Sequence, residues 1–378
     1  MKSNHIVFTT IYKPKVLLDL RKNLERYGHL DSTVCWVVGD NKTPAACGDL
    51  CQYVTTIGLE THYLDVETQD KWGKQFSQFY HQIPYNNETR RNIGYLYALE
   101  QGCERLISID DDNYPTDDDF IGGHIKTGKL WHDNVIEDST GYYNICEHLT
   151  IQPDRLIFSR GFPFELRGKK NDLKYVPVKP GSRIGAKSGL WIKDPDVDAT
   201  TWLNGRVEST EYHGPSSFVL SQNTWSPINT QNTSVTRELI PAFLCIPMGH
   251  PVPGGQIERY GDIWGGYFLQ AVIADTPYHI CFGSPIVEHR RNPHNYLDDL
   301  RHEYWGIILT DWLLSQLRDG FKPTSAAIID RVVELSAFIS EIGTSKLPAW
   351  CSKEVQNFIT ETAKTLRLWA QVCSQIIK

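Results

Sequence analysis

The chain has 378 residues, 40% apolar and 22% charged, so it can bury a full core and is neither a disordered tract nor a low-complexity scaffold. Its 38 basic and 45 acidic residues leave a net charge of −7, which excludes a uniformly basic nucleic-acid coat. No apolar run reaches the ~20 residues of a membrane helix, and nine scattered cysteines without a Cys-x-x-Cys pair predict reduced thiols in a cytoplasmic protein.

Ile6 to Thr10 reads as a buried first strand. Leu17, Leu18, Arg21 and Leu24 follow at helical spacing, and Gly28 is placed to stop them. Val34 to Val38 is a second strand, ended by the turn residues Gly39, Asp40 and Asn41. A helix is expected from Asn92 to Cys103, and after it Arg105 to Ile109 forms a third apolar strand that runs into Asp110, Asp111 and Asp112. This alternation predicts a parallel, doubly wound α/β sheet. From about Thr116 to Pro253 the chain is richer in Gly, Pro, Thr and Asn, which predicts shorter strands and longer loops. Tyr260 to Ile273 is helical again. Ile328, Val332, Leu335, Phe338 and Ile342 then mark an amphipathic helix ended by Gly343. Val355, Phe358, Ile359, Leu366 and Trp369 mark another, with Ser352 as its N-cap. The expected organisation is a main domain over 1–310, in halves 1–115 and 116–310, and a helical tail over 311–378. The tail would pack on that domain or on a second copy in a homo-oligomer.

The Asp triplet carries the sharpest chemical signal. Adjacent carboxylates repel one another and call for a cation, and the carboxyl end of a parallel strand is where open α/β sheets place ligands. In an extended segment Asp110 and Asp112 share a face while Asp111 points away. Their oxygens suit Mg²⁺ or Mn²⁺ bridging a diphosphate; the plainer alternative is a solvated acidic turn. Arg90 and Arg91, near a helix start, either fork onto phosphate or pair with surface acids. Arg160 and Arg167 flank the stiff loop Gly161-Phe162-Pro163-Phe164 and could face one cleft. Asp262 either deprotonates a hydroxyl or caps its helix. His289 either completes a metal shell or is structural.

Several of these segments occur in one order: Ile109-Asp110-Asp111-Asp112, Arg160-Gly161-Phe162-Pro163-Phe164-Glu165-Leu166-Arg167, Gly189-Leu190-Trp191 with Asp196-Val197-Asp198-Ala199, and Arg259-Tyr260-Gly261-Asp262-Ile263-Trp264-Gly265-Gly266. That order resembles the reversibly glycosylated polypeptides, also known as UDP-arabinopyranose mutases. Thr9-Thr10-Ile11, Trp36 to Pro44 and Arg91 to Ala98 look like the STELLO glycosyltransferases. Together they span roughly 6–306; the residues after Trp305 resemble no family. Where the mutases carry Asp-Asp-Met-Trp, this chain has Gly261-Asp262-Ile263-Trp264. The resemblance implies a GT-A-like (Rossmann-like) mixed sheet flanked by helices, a UDP-type nucleotide sugar and a divalent metal, Mn²⁺ or Mg²⁺. It implies that Thr9, Asp40, Arg90, Arg91, Asp110 and Asp111 bind the nucleotide sugar. Asp110, Asp112 and His289 would hold the metal, and Asp262, Arg160 and Arg167 would serve catalysis, Arg160 as a diphosphate clamp or as the arginine that transiently carries the sugar. The expected activity is sugar transfer to an acceptor of unknown kind: a glycan, a protein, a small molecule or a modified nucleic-acid base. The alternatives are a pyranose–furanose mutase and a silent sugar-nucleotide-binding protein.

Overall fold

The computed structural model describes residues 2–378. Strand β1 (Asn4–Thr9), helix α1 (Val16–Arg26), strand β2 (Thr33–Val38), helix α2 (Ala46–Thr56), strand β3 (Thr61–Leu64) and strand β4 (Arg105–Ile109) build the N-terminal part. Helix α1 buries Val16, Leu17, Leu20 and Leu24 on one stripe, and Gly28 ends its reach at φ +74°. Strand β2 is buried at every residue, as a strand covered on both faces must be, which is why it reads as an unbroken apolar run. The four strands pair in parallel in the order β3-β2-β1-β4.

Beyond β4 the sheet becomes mixed. Asn232–Thr236 adds antiparallel to β4, and five further strands bring the sheet to ten. The fold class expected from the sequence, a mixed α/β sheet flanked by helices, is present, with the purely parallel portion confined to the first four strands. A second sheet of five short strands continues from the end of β4. In it Asn113–Pro115 lies antiparallel to Val287–His289, with Asn113 opposite His289. That register carries a residue from late in the chain to the Asp triplet.

Helix Arg91–Glu100 lies close over β1 and β2, and Gly94 makes the approach possible: a Cβ there would stand 2.5 Å from Val7 Cγ1. Helix Gly261–Val272 is buried along almost its whole length. A Cβ on Gly265 or Gly266 would run into the backbone oxygens of Leu244 and Ile228.

The boundary expected between residues 310 and 311 does not exist. Helix Tyr296–Gly320 runs straight through it, and its buried Leu309, Leu313, Leu314 and Leu317 extend one continuous core. The last two helices, Ile328–Ser345 and Lys353–Ile377, pack on each other and on the body of the same chain. The Trp369 indole N–H donates to the Pro241 carbonyl at 2.9 Å. Arg331 donates to the Val272 and Ala274 carbonyls, which end the helix Gly261–Val272. Gly343 lies inside its helix rather than ending it, because a Cβ there would stand 2.7 Å from Ile359 Cγ2. Ser352 is the N-cap expected, accepting from the Val355 N–H. Each of the nine cysteines is a free thiol, and among the described residues no helix is long and apolar enough to cross a membrane.

Candidate active site

The carboxyl ends of β1, β2 and β4 open into a cleft with two lobes. The first, about 290 Å³, is lined by Thr9 to Tyr12, Val38 to Asp40, Asn86, Asn87 and the Asp triplet. The second, about 210 Å³, is lined by Arg160, Asp196, Arg259, Asp262, His289 and Arg291, among others. Glu88, Arg91, Asp110 and Asp112 line both, so the lobes are continuous. Every residue of the first lobe lies between 9 and 112, whereas the second draws on 88 to 294.

Asp40 accepts from the backbone N–H groups of Asn41 and Asn87, at 2.7 and 3.2 Å, and so ties the β2 turn to the loop before helix Arg91–Glu100. Asp111 turns back into the first lobe and accepts from the Thr10 hydroxyl at 2.5 Å. Burial, and then the charges of Asp112 and Asp110, push its carboxyl up to about 7 despite the Thr10 bond. Burial also raises Asp110 against the pull of Arg91, whose Nη2 donates to Asp110 Oδ1 at 2.6 Å. Two of the three acids at this strand end are therefore short of positive charge.

Asp112 faces His289, with Oδ2 and Nε2 3.5 Å apart. The other ring nitrogen, Nδ1, lies 2.7 Å from the Asp194 carbonyl oxygen, which can only accept. The ring proton therefore sits on Nδ1, and Nε2 presents its lone pair to a carboxylate. That arrangement needs a proton or a cation between the two atoms. The pair responds accordingly: although burial opposes both shifts, the hydrogen bond and mutual charge lower Asp112 and raise His289. The expected trio of Asp110, Asp112 and His289 is not converged, since Asp110 is held by Arg91. Among the described residues no group of three His, Cys, Asp or Glu side chains stands ready to hold a metal. Asp112 and His289 fit a divalent cation that takes its remaining ligands from a bound molecule.

The four arginines fare differently. Arg91 faces both lobes and is braced by Thr230 and Ser108 as well as Asp110. Arg90 does not reach the cleft. It is fully buried, donating to the Gln69 side chain at 2.8 and 2.6 Å and to the Tyr80 hydroxyl, with the Tyr85 ring 4.2 Å above it. Consecutive residues at a helix start point ~100° apart, so only one of the two can face the ligand. Arg167 does not line the cleft either; it pairs with Asp198 and lies over the Phe164 ring.

Arg160 lines the second lobe, but not as a free clamp. Its five N–H groups go to the Arg259 carbonyl and to two carboxylates, Asp196 at 2.8 and 3.0 Å and Asp262 at 3.0 and 2.9 Å. No donor is left over for a diphosphate. Burial works against its charge, yet Asp196 and Asp262 outweigh it and hold its proton more firmly than usual. Asp262 lies in the first turn of its helix, whose N-cap position belongs to Tyr260, so capping is not its role. Arg259, at φ +62°, turns its carbonyl to Arg160 and its guanidinium to Glu303 and Asp299.

Glu88, Asp196, Arg259 and Arg291 are cleft residues to which residue type and spacing assign no role. All four lie inside segments the sequence singles out, Asp196 in Asp196-Val197-Asp198-Ala199, but nothing in the sequence marks Asp196 as a partner of Arg160.

With this geometry in view, comparison with known proteins places the chain. The family model for the reversibly glycosylated polypeptides matches residues 56–374. The chain belongs to this family. The match runs deep into the C-terminal helices, so the tail that resembled nothing is part of the family's span. Relatives include UDP-arabinopyranose mutase 3 of Arabidopsis thaliana, 26% identical over 60% of this chain and 57% of that protein. UDP-arabinopyranose mutase 1 of the same plant is 24% identical over 68% of this chain and 67% of its own length. The chain thus spans little more than half of the first of these relatives. Similar solved structures include the mannosyltransferase PcManGT of Pyrobaculum calidifontis with GDP-Man and Mn²⁺, at 11% identity and TM-score 0.39 over 99% of this chain and 85% of that one. Glucosyl-3-phosphoglycerate synthase of Mycobacterium tuberculosis with Mn²⁺ and UDP-glucose gives 9% and 0.36 over 82% and 79%. Both likenesses are distant.

Proposed function

We propose that this family member is a divalent-metal-dependent enzyme that moves a sugar from a UDP-type nucleotide sugar to a hydroxyl acceptor. The observation that carries the reading is the Asp112–His289 pair at the junction of two lobes, with His289 Nε2 3.5 Å from the Asp112 carboxylate and Nδ1 anchored on the Asp194 carbonyl. Thr9, Asp40 and Asp111 would line the nucleoside end, and Asp112 with His289 would hold Mn²⁺ or Mg²⁺. When bound, such an ion supplies positive charge to the diphosphate as it departs. Arg91, already locked by Asp110 and Thr230, adds fixed positive charge beside it without reorganising. The first lobe then takes the nucleotide, and the second the sugar and the attacking hydroxyl.

The test is calorimetry of UDP with and without Mn²⁺. Asp112→Asn should remove the metal-dependent part of UDP affinity while leaving the melting temperature near that of the wild type. An unchanged Mn²⁺ dependence would overturn the assignment.

A second reading, isomerisation of the UDP-sugar, is favoured by the family and by the small, charged second lobe. Product analysis separates the two: free UDP with a glycosylated acceptor for transfer, or a ring-isomerised UDP-sugar without net UDP. The hydrogen bonding of Arg160 weighs for transfer, because a guanidinium fully engaged by two carboxylates has no lone pair to offer a sugar.

A further inference from the structure

Seven carboxylates line the cleft: Asp40, Glu88, Asp110, Asp111, Asp112, Asp196 and Asp262. Six are committed. Asp40 accepts from two backbone N–H groups, Asp110 from Arg91, and Asp111 from Thr10, while Asp112 accepts from Asn113 and faces His289. Asp196 accepts from Arg160 and Asn229, and both oxygens of Asp262 from Arg160. Glu88 differs from all of these. Among the described residues no donor of another residue reaches its carboxylate, which has only its own backbone N–H; its side chain is exposed to the cleft, and it lines both lobes.

Its place follows from local structure. Asn87 accepts from the Thr89 N–H and starts the short turn Glu88–Arg90, which leads directly into helix Arg91–Glu100. The turn sends Arg90 inward and leaves Glu88 at the mouth. The Glu88 carbonyl accepts from Arg91 Nε at 3.2 Å, so its backbone is pinned while its side chain stays free.

We propose that Glu88 is the general base of the sugar transfer, taking the proton of the attacking hydroxyl where the two lobes meet. The assignment rests on the transferase reading and displaces Asp262, whose oxygens are occupied. The step balances as a single displacement. The acceptor O–H gives its proton to a Glu88 oxygen while the acceptor oxygen bonds to the anomeric carbon. The bond from that carbon to the diphosphate breaks, and its electron pair leaves with UDP. The product anomer is therefore inverted, and Glu88, open to the cleft, returns its proton to water. The surroundings suit a base. Partial loss of water in the cleft raises the Glu88 carboxyl, and Asp262 adds to that across the lobe, while its own backbone N–H, Arg91 and Arg259 pull the other way. The other charged groups facing the same space are Asp110, Asp112, Arg160, His289 and Arg291.

The test uses the full chain with Mn²⁺ and, in turn, UDP-glucose and UDP-arabinopyranose, with water as the acceptor and UDP release as the signal. Glu88→Gln keeps size and hydrogen bonding but removes the base. It should bind UDP·Mn²⁺ like the wild type by calorimetry, yet release UDP roughly 100- to 10,000-fold more slowly, the usual worth of a general base. The acidic limb of the wild-type pH–rate profile should vanish in this variant, and Glu88→Asp or added formate should restore part of the rate. A Glu88→Gln enzyme with wild-type turnover and an intact acidic limb overturns the proposal, as does a retained anomer by NMR. If the wild type neither binds UDP·Mn²⁺ nor releases UDP from either sugar, the transferase reading itself falls, and this assignment with it.

Discussion

Arg160 takes its meaning from five hydrogen bonds rather than from its place in a motif. It joins Asp196 and Asp262, two buried carboxylates that would otherwise face each other without a cation. Arg160→Ala should therefore cost about 3–5 kcal/mol, the range for removing one partner of a buried ion pair. The loss would be read as a lower urea midpoint, with Arg160→Lys falling between the two. An Ala variant as stable as the wild type would show that the carboxylates do not depend on it. At this scale the sequence was legible for residue type and blind to direction. Asp110 and Asp112 line both lobes and Asp111 only the first, but they do so from a turn closed by the Asn113 N–H on the Asp110 carbonyl, not from the extended segment expected. Arg90 and Arg91 are chemically identical neighbours, and only the packing of Gln69 and Tyr80 shows which one is structural.

Among elements, the helix Gly261–Val272 carries Asp262 and owes its position to Gly265 and Gly266. Their hydrogens face the Leu244 and Ile228 carbonyl oxygens, and backbone cannot move aside as a side chain can. Gly265→Ala gains up to ~1 kcal/mol of helix propensity. It should nevertheless lower stability by at least the ~1–3 kcal/mol of an overpacked core. A thermal melt shows the outcome, and a variant that melts at or above the wild type would refute the close-approach argument. Strands β1, β2 and β4 were readable because a strand buried on both faces is an unbroken apolar run, and α1 and helix Arg91–Glu100 were readable from their spacing, whereas α2 was not read. Strand β3 (Thr-His-Tyr-Leu) was not, since as an edge strand of four residues it exposes His62.

For the molecule as a whole, the last two helices complete the core rather than decorate it. Trp369 is fully buried, stands 5.4 Å from the Phe79 ring and donates to Pro241. Trp369→Ala should cost about 3–5 kcal/mol, as large-to-small changes in cores do. Truncation after Gly320 should leave a protein that fails to fold cooperatively. A truncated chain that melted in one sharp transition near the wild-type temperature would make the tail a separate unit.

The sequence by itself determined what depends on near neighbours: strand–helix alternation, the acidic triplet at a strand end, the Ser352 cap and the amphipathic stripes of the tail. Local periodicity and side-chain chemistry carry that information over a few residues. Only the tertiary structure decided the members of the cleft. His289 reaches Asp112 because residues 113 and 289 are paired across a sheet, and Arg160 is closed off by carboxylates 36 and 102 residues away. Glu88 has no partner residue, whereas every other acid in the cleft has one. Such relations are set by sheet register and loop packing between distant segments, and no spacing along the chain encodes them.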